Sequence, residues 1–303
     1  MIRSIAKVSA LGLLAISILG AGGFNEQAEK DRKALIEYMQ KKFSDPLKNR
    51  ASQFPYSTDK ELKENIKGGL KFEDFRLGSY AFNKSGKEQY DEIAEMPPYE
   101  DAVDEGEELY NKKFKNGKSF KECFPKPDIA GDYPMYDAKK GVVTLSSAIN
   151  DCLKANGEKP WNMKKGKMAK LEAYFAYQSK EAGKKFNIKI DSKEAQEAYE
   201  RGKKEYYSQR GYLKLSCASC HVQGAGKRVR AEYMSPLLGQ VTHFPVYRLK
   251  WEDLGTLERR MVGCNKDQGE NPHKANSKWM KELLYFMAYM SNGMPVDGPD
   301  IRK

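Results

Sequence analysis

Apolar residues recur along this chain at three- and four-residue intervals, and no run of strictly alternating apolar and polar residues appears, so the pattern predicts helices rather than sheets. Within a polar stretch from Asn25 to about Lys71, Ala34, Leu35, Ile36 and Met39 share helical spacing. A second helix is expected between Ser57 and Glu73, with Gly68-Gly69 as its breaker. Met96-Pro97-Pro98-Tyr99 reads as a turn or extended segment. The clearest helix is Lys278 to Met290, where Trp279, Leu283, Phe286 and Met287 fall on one face and read as core. Ahead of these, Arg3 and Lys7 precede an apolar run from Val8 to Leu19, followed by Gly20-Ala21-Gly22-Gly23. Positive start, short apolar run and small residues are the signature of a secretory signal, assigned to residues 1–23. The run is too short to span a bilayer comfortably, although an uncleaved anchor is the alternative. No Cys follows it to carry a lipid.

The chain then repeats itself. Glu105-Gly106-Glu107-Glu108-Leu109-Tyr110 resembles Arg201-Gly202-Lys203-Lys204-Glu205-Tyr206, and each string leads to a Cys, Cys123 and Cys220. Tyr133-Pro134-Met135-Tyr136 matches Phe244-Pro245-Val246-Tyr247, and Cys152 stands almost as far beyond its Pro as Cys264 does. Glu158-Lys159-Pro160 matches Glu270-Asn271-Pro272, and Glu172-Ala173-Tyr174-Phe175 matches Leu283-Leu284-Tyr285-Phe286. Six landmarks in one order predict two tandem domains of one fold, over residues 24–178 (with an N-terminal extension) and 179–303.

The second repeat carries Cys217-Ala218-Ser219-Cys220-His221. Cys-x-x-Cys-His is the attachment signature of a c-type haem: two thiols add to the two vinyl groups of one porphyrin, and the adjacent His221 reaches the iron. A structural zinc site would need a second ligand pair at short spacing. A thioredoxin-like pair would not need the His, and no βαβ pattern surrounds it. A helix, an attachment turn, a long wrapping loop and a terminal helix with aromatics predict a mainly α, cytochrome c-like fold in both repeats. In the first repeat the motif has decayed to Phe120-Lys121-Glu122-Cys123-Phe124, so that domain is expected to hold no haem. With the porphyrin gone, Cys123 and Cys152 come from opposite sides of the former cleft. A disulfide between them, closing a loop of about 30 residues and contributing about 3 kcal/mol, is expected; two buried free thiols are the alternative.

Composition adds constraints. The 303 residues are 40% hydrophobic and 31% charged, with a net charge of +11. A basic surface suits an acidic partner or a small anion, and no nucleic-acid motif accompanies it. Five cysteines in an exported chain leave one, Cys264, without an obvious partner. It ends the string Glu258-Arg259-Arg260-Met261-Val262-Gly263-Cys264. Opposite His221 the iron could take Cys264, His243, His273 or a Met. A thiolate ligand would lower the reduction potential relative to a thioether, and Arg259 and Arg260 would favour its ionised form. A buried structural thiol and a solvated pair of arginines are the bland alternatives. His243 is expected as a surface or supporting residue, and His273 as exposed.

These residues carry a resemblance. The haem motif, the Arg-Arg-Met-x-Gly-Cys string ending at Cys264, the decayed first domain and the paired Cys123 and Cys152 resemble SoxA, the cytochrome subunit of SoxAX in bacterial thiosulfate oxidation, in its one-haem form. The resemblance implies an L-cysteine S-thiosulfotransferase, which joins thiosulfate oxidatively to a cysteine of the SoxYZ carrier and passes electrons to cytochrome c. It implies one covalent haem c on Cys217 and Cys220, with His221 as proximal ligand. Cys264 would be distal ligand and catalytic cysteine, in some members a persulfide, and Arg260 would bind thiosulfate. It further implies a periplasmic protein paired with a small SoxX cytochrome, with no nucleic-acid partner and no membrane attachment after signal removal. A non-catalytic periplasmic electron-transfer cytochrome is the competing expectation.

Overall fold

The structure, a computed structural model, describes residues 23–47, 58–229 and 232–302. All but the last residue of the expected export signal lies outside these. An N-terminal segment holds helices α1 (Glu26–Lys42), α2 (Asp59–Asn65) and α3 (Lys84–Ala94). The first repeat follows as α4 (Glu100–Asn111), α5 (Phe120–Cys123), β1 (Met135–Asp137), β2 (Gly141–Val143), α6 (Leu145–Ala155) and α7 (Lys167–Glu181). The second contains α8 (Lys193–Tyr207), a π-type turn Ser219–Gln223, β3 (Arg228–Val229), β4 (Glu232–Tyr233), β5 (Val246–Arg248), β6 (Asp253–Gly255), α9 (Leu257–Asp267), α10 (Lys278–Met290) and β7 (Asp300–Arg302). The mainly α architecture expected from the periodicity is what forms, with only short strands added.

The starts of four of these helices are written locally. Thr144, Ser192, Thr256 and Ser277 each stand just before a helix and accept a hydrogen bond from the amide three residues on. Such caps contribute about 1 kcal/mol each. Thr144 and Thr256 open α6 and α9, the helices that end near Cys152 and Cys264.

Each repeat is held by a crossing of its first and last helices, α4 on α7 and α8 on α10. A glycine makes each crossing close. A methyl group on Gly106 would sit 2.2 Å from the Lys170 carbonyl oxygen, and one on Gly202 would sit 2.0 Å from that of Glu282. Tyr174 and Phe286 pack over these glycines in turn. The last landmark of the sequence repeat therefore shifts by one: Tyr174 is equivalent to Phe286, not Tyr285. The cause is the β-hairpin. Its turn holds Ala138–Lys140 in the first repeat and the longer Leu249–Glu252 in the second.

The hairpins trade places. β2 packs on α8 and α10 of the second repeat, and β6 on α7 of the first. Val142 accordingly belongs to one hydrophobic core and Leu254 to the other. Between the repeats lies a cavity of about 580 Å³ holding two fully buried carboxyls, Glu172 and Glu258. Ser146 Oγ donates to Glu172, and Thr144 Oγ1 donates to Glu258 Oε1 at 3.2 Å. Burial pushes both pKa values above the usual carboxylate range, and for Glu172 the neighbouring Glu258 pushes the same way.

The N-terminal segment lays its apolar side chains on the second repeat. Leu35, Met39, Phe43, Phe75 and Phe82 join the core that contains Tyr206, Cys217 and α10. Arg32 Nη1 donates to the Asn292 carbonyl at 3.0 Å, and Asp31 accepts from Tyr199 Oη at 2.9 Å and Lys203 Nζ at 2.6 Å. On α10, Leu283, Phe286 and Met287 are buried as expected, but Trp279 is 48% exposed. It lies in the first turn of the helix, where Arg210 and His273 cover its ring instead.

Candidate functional site

In the first repeat, aromatics occupy the place of the attachment motif. Phe120 and Phe124 are buried, and Phe114, Trp161 and Phe175 pack on their rings with centroids 5.0–5.4 Å apart. Tyr110 Oη donates to the Phe124 carbonyl at 2.7 Å. Cys123 and Cys152 are joined by a disulfide, with Cα atoms 6.1 Å apart. Nothing in this core could admit a porphyrin.

The second repeat opens where the first is filled. Ser216 and Ser219 cap one another's amides at 3.1 and 3.0 Å, starting the tight turn that carries Cys217 and Cys220. Helix backbone then widens over Ser219–Gln223 and stops at Gly224, whose amide donates to the Ser219 carbonyl at 2.9 Å. Such widened turns recur at functional sites. His221 Nδ1 lies 2.7 Å from the Ser235 carbonyl oxygen. A carbonyl only accepts, so Nδ1 carries the proton and Nε2 keeps its lone pair for an electrophile. Burial pushes the His221 pKa down to about 4, which keeps that lone pair unprotonated at neutral pH.

α9 supplies the opposite chemistry. Leu257, Arg260, Met261 and Cys264 follow the helical period, so they share one face, and all four line the same cleft as His221. Arg259, one position off that face, does not. Its guanidinium pairs with Asp253 Oδ2 at 3.0 Å and lies over the Trp251 ring, 4.2 Å from its centroid. The sequence treated the two arginines as a pair; the helix separates them. Among the described residues, Arg260 has a loose ion pair, 3.9 Å from the exposed Asp267.

The three cysteines outside the disulfide gather near one phenol. Fully buried Tyr206 has its pKa raised first by burial and then by neighbours that include Cys217, Cys264 and Cys220. Its hydroxyl donates to Gln240 Oε1 at 2.9 Å. Burial pushes the Cys217 thiol up to about 12 and raises Cys220 as well, with Cys264 adding to both. These two sulfurs sit in surroundings that favour an uncharged form, as a thioether is.

The cleft opens to solvent and spans about 940 Å³ including that open space. Two further cations line it, Arg248 on β5 and Arg302 on β7, together with His243. Neither arginine was singled out from sequence, and His243, named there as one candidate for the iron and otherwise expected as a surface or supporting residue, is buried. A signal for Arg248 was present: in the matched strings Tyr133 to Asp137 and Phe244 to Arg248 the last position reverses charge. His273 is half-buried outside the cleft, 3.8 Å from Glu205 and 3.6 Å from Glu270. Arg210 lies against both carboxylates, so that cluster is already supplied with a cation.

An open cleft, an oriented imidazole with a free lone pair, two thiols in the adjoining turn and further arginines on its wall fit haem c. Fold and site together define a tandem cytochrome c-like protein. The SoxA/TsdA cytochrome c domain family matches residues 105–183 and 201–296. The chain is 47% identical to the L-cysteine S-thiosulfotransferase subunit SoxA of Chlorobaculum thiosulfatiphilum over 78% of this chain and 82% of that one. It is 40% identical to SoxA of Allochromatium vinosum over 76% and 83% of the two chains. Among solved structures, SoxXA from P. pantotrophus superposes with a TM-score of 0.62 at 31% identity, covering 68% of this chain and 79% of that one. This chain belongs to the SoxA family.

Proposed function

We propose that this protein is the catalytic cytochrome subunit of an L-cysteine S-thiosulfotransferase. It joins thiosulfate to a cysteine of a SoxYZ-type carrier, releasing two electrons and the thiol proton. Charge and atoms balance: dianionic thiosulfate and a neutral thiol give a monoanionic S-thiosulfonate, two electrons and one proton. Cys217 and Cys220 would hold a single haem c covalently, and His221 and Cys264 would bind its iron. When bound, haem c supplies the electron sink.

The protein's own groups divide the remaining work. The Ser235 carbonyl fixes the His221 ring and keeps Nε2 available. Cys264 provides a sulfur nucleophile. Arg260, one helical turn earlier on the same face, attracts the thiosulfate dianion and orients it toward that sulfur. The net charge of +11 favours approach of an anionic substrate and an acidic carrier. A SoxX-type small cytochrome completes the enzyme, and a cytochrome c accepts the electrons. No described helix is long and apolar enough to cross a membrane. With the signal expected over 1–23, we place the mature protein in the periplasm.

The observation that carries this reading is the shared face of Arg260 and Cys264 on α9, directed into the cleft lined by His221. Intact mass of the mature protein tests the cofactor: one haem, one disulfide and the loss of the signal are expected. Thiosulfate-dependent reduction in the reconstituted complex tests the activity. A haem that thiosulfate and carrier together leave oxidised would reduce the protein to an electron carrier.

A further inference from the structure

Three nitrogens on the cleft wall are buried and lack any hydrogen-bond partner among the described residues: Arg248 Nε, Arg302 Nη2 and His243 Nδ1. They come from β5, β7 and the segment before Pro245, and all three side chains line the same cleft. β5 and β7 run parallel with Arg248 beside Arg302, so the two guanidiniums are brought together by sheet register. Both arginines can only donate, and an unpaired buried donor is costly. Arg302 is compensated on its other side, where Nη1 pairs with buried Asp300 and the guanidinium lies over Tyr80. Arg248 lies over the Trp251 ring, 5.3 Å from its centroid, and has the half-exposed Glu232 at 3.8 Å, which leaves Nε without an acceptor among the described residues although the side chain is 9% exposed.

Such a set calls for an acceptor oxyanion that is permanently present. A transient substrate would leave the cost unrelieved for most of the protein's lifetime. The repeat comparison agrees: the position of Arg248 is taken in the haem-free repeat by Asp137, which caps the amides of Lys139 and Lys140 in the hairpin turn. The cation is found only in the repeat that carries the attachment motif.

We propose that Arg248 and Arg302 form an oxyanion site for the propionate carboxylates of the haem, separate in role from Arg260, which serves the substrate. This rests on the haem assignment above. Both propionate and the sulfonate end of thiosulfate present acceptor oxygens, so the test must distinguish a resident anion from a substrate.

The experiment uses the full-length holoprotein, with Arg248→Gln and Arg302→Gln variants and Arg248→Lys as the variant that keeps charge. Haem midpoint potential and the propionate bending band in the resonance Raman spectrum are measured for each. Loss of a cation beside a carboxylate stabilises ferric haem, so a downward shift in potential and a shifted band are expected in both Gln variants. Arg248→Lys should show a smaller shift in potential. Should Arg302→Gln not fold, because Asp300 loses its partner, the two Arg248 variants decide alone. A potential and band identical to wild type overturn the proposal, and a raised thiosulfate KM in that case would assign the site to the substrate's sulfonate. Haem content of the wild type, measured first by mass, separates the two levels. A haem-free wild type defeats the cofactor assignment, whereas haem present with both signals unmoved defeats only this site.

Discussion

The two repeats share a crossing glycine, a capped helix and a cysteine at its end, yet one is closed and the other open. Phe120 and Phe124 stand where Cys217 and His221 stand, and the aromatic cluster around them fills the space that the second repeat leaves as a cleft. The equivalent cysteines diverge in the same way. Cys152 is tied to Cys123, whereas Cys264 faces the cleft. Ala148 occupies in α6 the place of Arg260 in α9. One scaffold thus serves once as a covalently closed unit and once as an open cleft. The difference lies in a handful of side chains and in the longer stretch between Cys220 and Pro245, which adds the β3–β4 pair.

The largest effect should come from Cys264→Met. Turnover of thiosulfate in the reconstituted complex is expected to fall by roughly three orders of magnitude or more. Activity within tenfold of wild type would place the nucleophile elsewhere. The matching change in the closed repeat, replacing Cys123 and Cys152 together with Ser, should act on stability instead. A loss of about 2–5 kcal/mol in denaturant unfolding is expected. A loss below 1 kcal/mol would mean that the aromatic core alone holds that repeat shut.

Arg260→Ala comes next. Removing one charge-assisted contact to an anion costs about 1.5–3 kcal/mol, which should appear as a thiosulfate KM raised by roughly 10- to 100-fold. The two crossing glycines test whether the repeats are equivalent mechanically. Gly106→Ala and Gly202→Ala should each cost about 1–3 kcal/mol through overpacking, read as matched losses of Tm. A tolerated Gly106→Ala would show that the closed repeat has relaxed its crossing.

The smallest effect concerns the seam. Glu172 and Glu258 have pKa values raised in the folded state, so folding retains their protons at pH values where the unfolded chain has lost them. Their contribution is therefore fully present below about pH 4.3, the usual Glu value, and is lost as pH rises through the folded pKa values. Glu172→Gln should flatten the decline of Tm with rising pH. An unchanged slope would show that the seam does not titrate.

The features tied to short sequence strings were legible from the chain alone. The haem motif, the decayed copy, the periodic α10 and the tandem repeat all lie within local windows. The register at the end of the repeat was misplaced because a single extra residue in the β5–β6 turn changes the offset. Arg259 was grouped with Arg260 because adjacency in sequence hides a rotation of about 100° around a helix. Arg248 and Arg302 escaped notice as a pair because strand pairing brings them together across more than fifty residues. The placement of the N-terminal segment was equally hidden: its amphipathic helix shows an apolar face but not which surface will cover it.

That placement has a kinetic consequence. Lys42, at the end of α1, donates to the Gln223 carbonyl at 2.6 Å, and Phe43 joins the core around the attachment turn. Segments nearly two hundred positions apart must meet before the open half is complete, while the closed repeat between them can condense through nearer contacts. Long loop closure slows folding. The half that carries the attachment motif is therefore the half whose assembly waits for almost the whole polypeptide to be in hand.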